Sequence, residues 1–453
     1  MSKEQNTPGI ERRRFHPYPE YKNSGVEWLG KIPANWDITR IKEQFCLVNG
    51  STPSSSDPSF WDGDIVWVTP DDLGELHVSR LGDSRRKITE EGYKSCGTSI
   101  VPKGSIVVST RAPIGYVAIA TTNLCTNQGC KSLVPKRPLS TGFFYYQLSS
   151  AKNELESRGE GSTFKEISKD KLGLIILTKP PEPNQHSIAF FLDRETAKID
   201  ALIEKKERLI KLLQEKRTAL ITQAVTKGLD PTVPMKDSGV EWLAKIPAHW
   251  EGSKMGRISW AISGGTPSKD EQGYWDGDIP WVSPKDMKRR FIGSSEDTIT
   301  KRAIAETGIK LIAPPVVLIV VRGMILAHSF PIAITTVPVT INQDMKSLIL
   351  RAGIDPIFMA WVFEGVGKSL LAAIVEEAAH GTRVIRMDQW RTVIVPVPPE
   401  SEQRAISVFL DSEAAKIDAL ISKIREAITS LSEYRTALIS AAVTGKMDVR
   451  EVQ

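Results

Sequence analysis

Apolar positions along this chain follow two rhythms in turn, and the pair of rhythms occurs twice. From about Trp36 to Pro180 the apolar residues come in short runs, Ile65 to Thr69, Ser105 to Thr110, Tyr116 to Ala120 and Leu174 to Leu177, each bounded by Gly, Pro, Ser or Asp. Runs of that length between turn residues predict β-strands. The pattern returns at Ile279 to Ser283, Val316 to Val321, Pro331 to Thr335 and Thr392 to Val397. After each block the period changes. Ile199, Leu202, Leu209, Leu213 and Leu220 continue a row begun at Ile188 and Leu192, broken only by Lys206. Ile417, Leu420, Ile424, Leu431 and Leu438, with Ile406, Leu410, Ala427 and Tyr434, form the second row, interrupted by Glu413. Alternating three- and four-residue steps over about five heptads predict coiled-coil helices. A helix of about 38 residues is roughly 57 Å long, and neither helix can bury such a stripe alone. The expected partner of one is the other, and the intervening block makes the pair antiparallel; the competing arrangement lays each helix on its own globule.

The repetition extends to the letters. SGVEWLGKIPANW from Ser24 returns as SGVEWLAKIPAHW from Ser238, and WDGDIVWVTPDDL from Trp61 returns as WDGDIPWVSPKDM from Trp275. FLDRETAKIDALI from Phe191 matches FLDSEAAKIDALI from Phe409, and RTALITQAVT from Arg217 matches RTALISAAVT from Arg435. Each block closes on a proline hinge, Pro180-Pro181 or Pro398-Pro399, across which neither strand nor helix continues. The expected organisation is an N-terminal segment (1–35), a mixed α/β globule with a twisted sheet (36–180), a long helix (185–228), a linker repeating the N-terminal segment (229–249), a second globule (250–398) and a second helix (402–446). Two like units in one chain can acquire a pseudo-two-fold axis, the symmetry that DNA readers use to address paired half-sites.

Composition narrows the picture only a little. A net charge of +5 over 453 residues does not mark a nucleic-acid binder, so any DNA footprint has to come from clustering. The four cysteines, Cys46, Cys96, Cys125 and Cys130, all lie in the first unit without a CxxC pair and read as reduced structural thiols. The N-terminus lacks the apolar core of a signal peptide. The most apolar stretch, Leu311 to Val321, is too short for a bilayer, contains Pro314 and Pro315, and reads as a buried strand.

The globules with the WDGDI motif, the proline hinges ending in Gln, and the FLD, AKIDALI and RTALI helices resemble the DNA-specificity subunits of type I restriction-modification enzymes, from about Ser24 to Met447. The resemblance implies that each globule is a target-recognition domain for one half of a split, double-stranded DNA target, with the helices as spacer. It implies partners too: two methylation subunits bringing S-adenosylmethionine, and restriction subunits bringing ATP and Mg, in the cytoplasm. This chain would hold no cofactor or metal. The globules differ between their signature blocks, so the expected target is bipartite and non-palindromic.

Loops with small polar residues and fixed charge can approach base edges. In the first globule these are Ser51 to Ser56 after Gly50, with Ser54 and Ser55 foremost, then Arg111, Asn127-Gln128 before Lys131, and Ser162 and Thr163 with Lys165. Their counterparts are Thr266 to Lys269 after Gly264-Gly265, with Ser268 and Lys269 foremost, then Arg322, Asn342-Gln343 before Lys346, and Thr382-Arg383. Arg85 and Arg86 with Lys87, and Arg289 and Arg290 with Lys288, are basic triplets suited to phosphate. Asn and Ser at these places equally satisfy turn backbones, and the arginines can pair internally. No HExxH, GxSxG or amino-methyltransferase motif occurs. EGVGKSL from Glu364 lacks the first glycine of a phosphate loop and reads as a helix-terminal Gly-Lys pair. The reading is an address-giving subunit without catalysis; a stand-alone regulator with two DNA-binding domains and a pure scaffold are the rivals.

Overall fold

A computed structural model of the chain describes residues 16–76, 79–161, 165–377 and 381–450. It divides into two compact units, one of residues 1–206 with 426–453 and one of residues 207–425. Both boundaries fall inside long helices, Glu182–Lys227 and Glu400–Val443, so each helix gives one part to each unit.

In the first unit a five-stranded sheet runs in the order Phe45–Asn49, Cys130–Pro135, Ile106–Ser109, Val117–Ala120, Arg80–Leu81. The first four strands are antiparallel neighbours and the last pair is parallel. A smaller sheet places Trp61–Val68 between Cys125–Thr126 and Lys87–Ile88. The helix Thr141–Ser150, capped by the Ser140 hydroxyl, buries Phe143 and Phe144 in one core with Phe45, Ile106 and Leu133. The second unit repeats the topology: Ser259–Ser263, Met345–Leu350, Val317–Val320, Ile332–Thr335 and Phe291–Ile292 in one sheet, and Asp297–Ile299, Trp275–Val282 and Thr340–Ile341 in the other. Its core helix, Pro356–Ile374, starts on Asp355, whose carboxylate accepts from the amides of Ile357 and Phe358. That helix is long and apolar enough to cross a membrane by length and composition, yet 61% of its most apolar window is buried within the protein. It also contains Gly367-Lys368 in its interior rather than at an end, where Gly367 packs on the Phe330 ring, so the Gly-Lys pair caps nothing. All eight expected strands are present within a few residues. The four cysteines are free thiols, two of them buried.

The repeated motifs are joints. In WDGD the aspartate takes a left-handed backbone, φ 60° at Asp62 and 59° at Asp276, and a bulge sets two residues of this strand against Ile88 or Ile299. A Cβ on Gly63 or Gly277 would collide with the neighbouring strand, which explains the glycine. Trp61 is buried, whereas Trp275 is only half-buried. The hinge glutamines tie the prolines to the helix start: Gln185 Nε2 donates to the Pro180 carbonyl and Gln403 Nε2 to the Pro398 carbonyl, each at 2.9 Å. The FLD aspartates hold the core helices, Asp193 accepting from the Tyr146 hydroxyl at 2.7 Å and Asp411 from the Trp361 indole at 3.0 Å.

Both units contain an antiparallel helix pair. In the first, Arg435 grips Asp200 with two bonds of 2.8 and 3.2 Å, while Ile188, Leu192 and Ile199 share a core with Leu438, Ile439 and Val443. In the second, Arg217 pairs with Asp418 at 3.1 Å, and Ile221 and Val225 share a core with Ile406 and Leu410. The Asp of AKIDALI and the Arg of RTALI are thus partners, once in each unit. The helices have 46 and 44 residues, about 69 and 66 Å at 1.5 Å per residue, and each begins directly after its second hinge proline, two or three residues before its expected start.

The seam itself needs correction. Ile199, Ile417, Ile424 and Leu438 are buried and Leu213, Leu220 and Leu431 are half-buried, but Leu202, Leu209 and Leu420 are 43 to 45% exposed. Each of those three stands beside an isoleucine, Ile203, Ile210 or Ile421, that is less exposed. Adjacent helical residues point about 100° apart, so only one of each apolar pair can face inward, and the leucine is the one left out.

The N-terminal segment and its repeat take the same role at the helix ends. In the second unit the hairpin of Met235–Asp237 and Lys245–Pro247 follows the first helix, and Trp250 packs on Gly228. In the first unit the hairpin of Tyr21–Asn23 and Lys31–Pro33 comes from the other end of the chain, yet Trp36 packs on Gly445 and the Tyr21 hydroxyl donates to the Gly445 carbonyl.

Candidate nucleic-acid interface

Within each unit one polar surface is assembled from the loops that follow these strands. In the first unit Trp61 and Trp67 meet edge to face at 5.1 Å, and their indole N–H groups donate to the carbonyls of Ser54 at 3.0 Å and Ser51 at 2.9 Å. In the second unit Trp275 and Trp281 lie 5.2 Å apart and donate to Ser268 and Gly265 at 3.0 and 2.9 Å. The loop carrying Ser54 and Ser55, and its counterpart with Ser268 and Lys269, is therefore pinned twice from below while those four side chains stay exposed.

The Asn-Gln loop is pressed against it. The Ser51 amide donates to the Thr126 carbonyl and the Gly265 amide to Ile341, each at 2.9 Å, and a Cβ on Gly50 or Gly264 would strike the carbonyl two residues before each loop's next glycine or aspartate. The Thr52 hydroxyl bonds the Gln128 side-chain oxygen, and Thr266 does the same to Gln343. Asn127 and Asn342 turn inward: their side-chain oxygens accept the amides of Gly129 at 2.9 Å and Asp344 at 3.1 Å. These asparagines hold turns, whereas Gln128 and Gln343 stay exposed.

The third element is the arginine strand end. The Arg111 amide donates to Gly129 and the Arg322 amide to Asp344, while Ile167 and Ile385 bond the carbonyls of Thr110 and Val321. Lys165 and Arg383 thereby fall at equivalent places beside Arg111 and Arg322. Ser162 and Thr163 lie outside the described residues; Thr382, the counterpart of Thr163, is half-buried.

The two surfaces differ in how charge is used. In the first, Glu166 pairs with Arg111 at 3.7 Å and with the buried Lys131 at 3.5 Å, and Lys131 also donates to the Thr110 hydroxyl at 3.0 Å. Burial holds the Lys131 ammonium below the usual lysine range, opposed by Glu166. In the second, Val384 stands opposite Arg322 where Glu166 stood opposite Arg111. Lys346 bonds the Ser263 hydroxyl and is likewise lowered by burial. Among the described residues, Arg322, Arg383, Arg289, Lys269 and Lys165 make no ion pair.

The basic triplets part company as well. Arg85 pairs with Glu75, and Arg86 lies 3.5 Å over the Trp61 ring, extending the pinned loop's support; both remain exposed. Arg290 is not a phosphate ligand. It stacks 3.4 Å over Trp361 and pairs with Glu364 at 3.3 Å; burial lowers its pKa, and its charge serves the core. Sequence reasoning missed the tryptophan pairs and the Asp–Arg helix pairs, although each was signalled by its repetition at one spacing in both units; Thr52 and Thr266 lie in the loops it named. The described residues include no cluster of three His, Cys, Asp or Glu that could hold a metal.

Two mixed α/β units of one topology, each carrying a rigid polar loop surface and tied to paired helices, define a duplicated recognition protein. The family model described as the type I restriction modification DNA specificity domain matches residues 33–212 and 247–430. The chain belongs to that family. It is 31% identical over 304 residues to the type I restriction enzyme MjaIX specificity subunit of Methanocaldococcus jannaschii, covering 66% of this chain and 68% of the relative. It is 35% identical over 209 residues to the EcoR124I/EcoR124II specificity subunit of Escherichia coli, covering 46 and 48%. A chain from a solved type I restriction-modification assembly superposes with a TM-score of 0.68 at 18% identity, covering 92% of this chain and 99% of that one. The HsdS subunit of Thermoanaerobacter tengcongensis gives 0.53 at 15% identity over 92 and 98%; both likenesses concern the fold.

Proposed function

We propose that this chain is the address-giving subunit of a type I restriction-modification complex, in which each loop surface reads one half of a bipartite, asymmetric DNA target. The carrying observation is the pair of surfaces built on identical joints but furnished with different side chains: the same frame presents Gln128, Arg111 and Lys165 in one unit and Gln343, Arg322 and Arg383 in the other. Different furniture on one frame supports two different half-sites. The exposed Arg86 and Arg289, and Arg85 on release from Glu75, would take phosphates, which position the duplex without reading it.

The long helices serve as spacer and as docking sites for two methylation subunits. Leu202 and Leu420, exposed at the same place of both repeats, and Phe190 and Val408, each 70% exposed directly before the FLD segment, are the apolar positions the helices offer to partners. The chain itself is non-catalytic. S-adenosylmethionine would sit on the methylation subunits, and ATP with Mg on restriction subunits, all at work on DNA in the cytoplasm. Exchange of residues 36–180 for another such globule, followed by mapping of methylated adenines, tests the reading: one half-site changes and the other persists. Loss of both half-sites, or tight specific binding by the isolated chain with no effect of a co-expressed methyltransferase, refutes it.

A further inference from the structure

The second recognition surface carries long exposed apolar side chains at a place where the first exposes only Ala112 and Pro113. Directly after Arg322, Gly323 takes φ 145°, a backbone that side chains rarely adopt, and turns the chain into a short 3₁₀ segment, Met324–Ala327. Leu326 is buried beneath that segment, whereas Met324 is 71% exposed and Ile325 41%. The Gly323 amide donates to the Arg383 carbonyl at 3.0 Å, so the tip is fastened to the strand bearing Arg383. In the first unit the corresponding stretch, Ala112-Pro113-Ile114-Gly115, turns its large apolar side chain inward: Ile114 is 5% exposed. A methionine held in solvent by a glycine-made turn, between two arginines with no ion pair among the described residues, has no packing role in the unit.

Resting on the reading that this surface binds DNA, we infer that Met324 is a specificity residue of the second half-site and contacts the 5-methyl group of a thymine. Arginines at such a surface suit the guanine edge in the major groove, and the single apolar group on base edges in that groove is the thymine methyl. Ile325 backs the contact, and Gly323 sets its reach. In the first surface the corresponding Ile114 is buried and only the short Ala112 and Pro113 are exposed, so no long apolar side chain reaches out there.

The test uses the full chain co-purified with its methylation partner. A pool of random duplexes is selected to obtain both half-sites, and the second is recognised as the one altered by exchange of residues 250–398. Duplexes with deoxyuridine in place of each thymine are then compared. The native complex should lose about threefold to fivefold in affinity at one second-half-site position, the worth of one buried methyl group. The Met324→Ala complex should lose that sensitivity, bind random duplex with unchanged affinity, and leave the first half-site intact. Met324→Leu should restore part of the discrimination. Deoxyuridine without cost at every second-half-site thymine overturns the inference. So does a Met324→Ala complex that weakens on all duplexes equally, as a base-step wedge would, or that fails to assemble with the methylation partner. Enrichment of no sequence by the native complex sinks the DNA reading itself and is seen before any variant is made.

Discussion

Ile199 and Leu202 lie three residues apart in one helix, and truncating each to alanine should have opposite consequences. Ile199 is buried in a core with Leu438, Ile439 and Val443, whereas Leu202 is 43% exposed. Ile199→Ala removes three carbons, about 2.4 kcal/mol at about 0.8 per methylene, and the cavity left in a helix pair also tied to a sheet core brings the loss to about 3–4 kcal/mol. With a urea dependence of about 2–3 kcal/mol per molar, the unfolding midpoint of the first unit should fall by roughly 1 M or more. Leu202→Ala should stay within about 0.5 kcal/mol, because its side chain already meets water; its effect should appear as weaker capture of the methylation subunit. Urea titration followed by circular dichroism, alongside co-purification with a tagged partner, reads both. Because two units can unfold separately, the midpoints rather than one global free energy carry the comparison. The same contrast is expected for Ile417 and Leu420 in the second unit. Equal destabilisation by the two alanines would refute the assigned seam and restore the leucine stripe that periodicity alone suggests.

Four further outcomes follow from the geometry. Breaking the helix pair's clasp by Arg435→Ala should cost about 1 kcal/mol, modest because the partners are 32 and 42% exposed, and a double-mutant cycle with Asp200→Ala should recover most of it as coupling. Trp67→Phe keeps an aromatic side chain but removes the indole donor to Ser51 and part of the buried bulk; stability should drop by about 2–3 kcal/mol while discrimination at the first half-site falls and the second half-site stays intact in a selection experiment. Arg289→Ala should lower the slope of log affinity against log salt by about 1, whereas Arg290→Ala should leave that slope unchanged and destabilise the second unit; a slope change from Arg290→Ala would restore it as a phosphate ligand. Adding one heptad to both long helices should lengthen the spacer between methylated half-sites without altering either, and an unchanged spacer removes the ruler role.

Much of this architecture is set locally and can be read from the chain. Duplication shows in repeated letters, the strands in short apolar runs between turn residues, and the long helices in a sustained three-four period that begins where paired prolines end the previous strand. These signals survive because turns, hinges and helix starts depend on residues close in sequence. The register of the helix pair does not. At Leu202-Ile203, Leu209-Ile210 and Leu420-Ile421 two apolar neighbours compete for one inward direction, and only the partner helix and the adjoining globule choose between them. Charge follows the same division. A sequence lists Arg111, Arg290 and Arg322 as three like cations, but folding sets the first beside Glu166, spends the second on Trp361 and Glu364, and leaves the third opposite Val384. An arginine's chemistry is fixed by its side chain, whereas its availability depends on which distant residues the sheet and helices bring within about 4 Å of it.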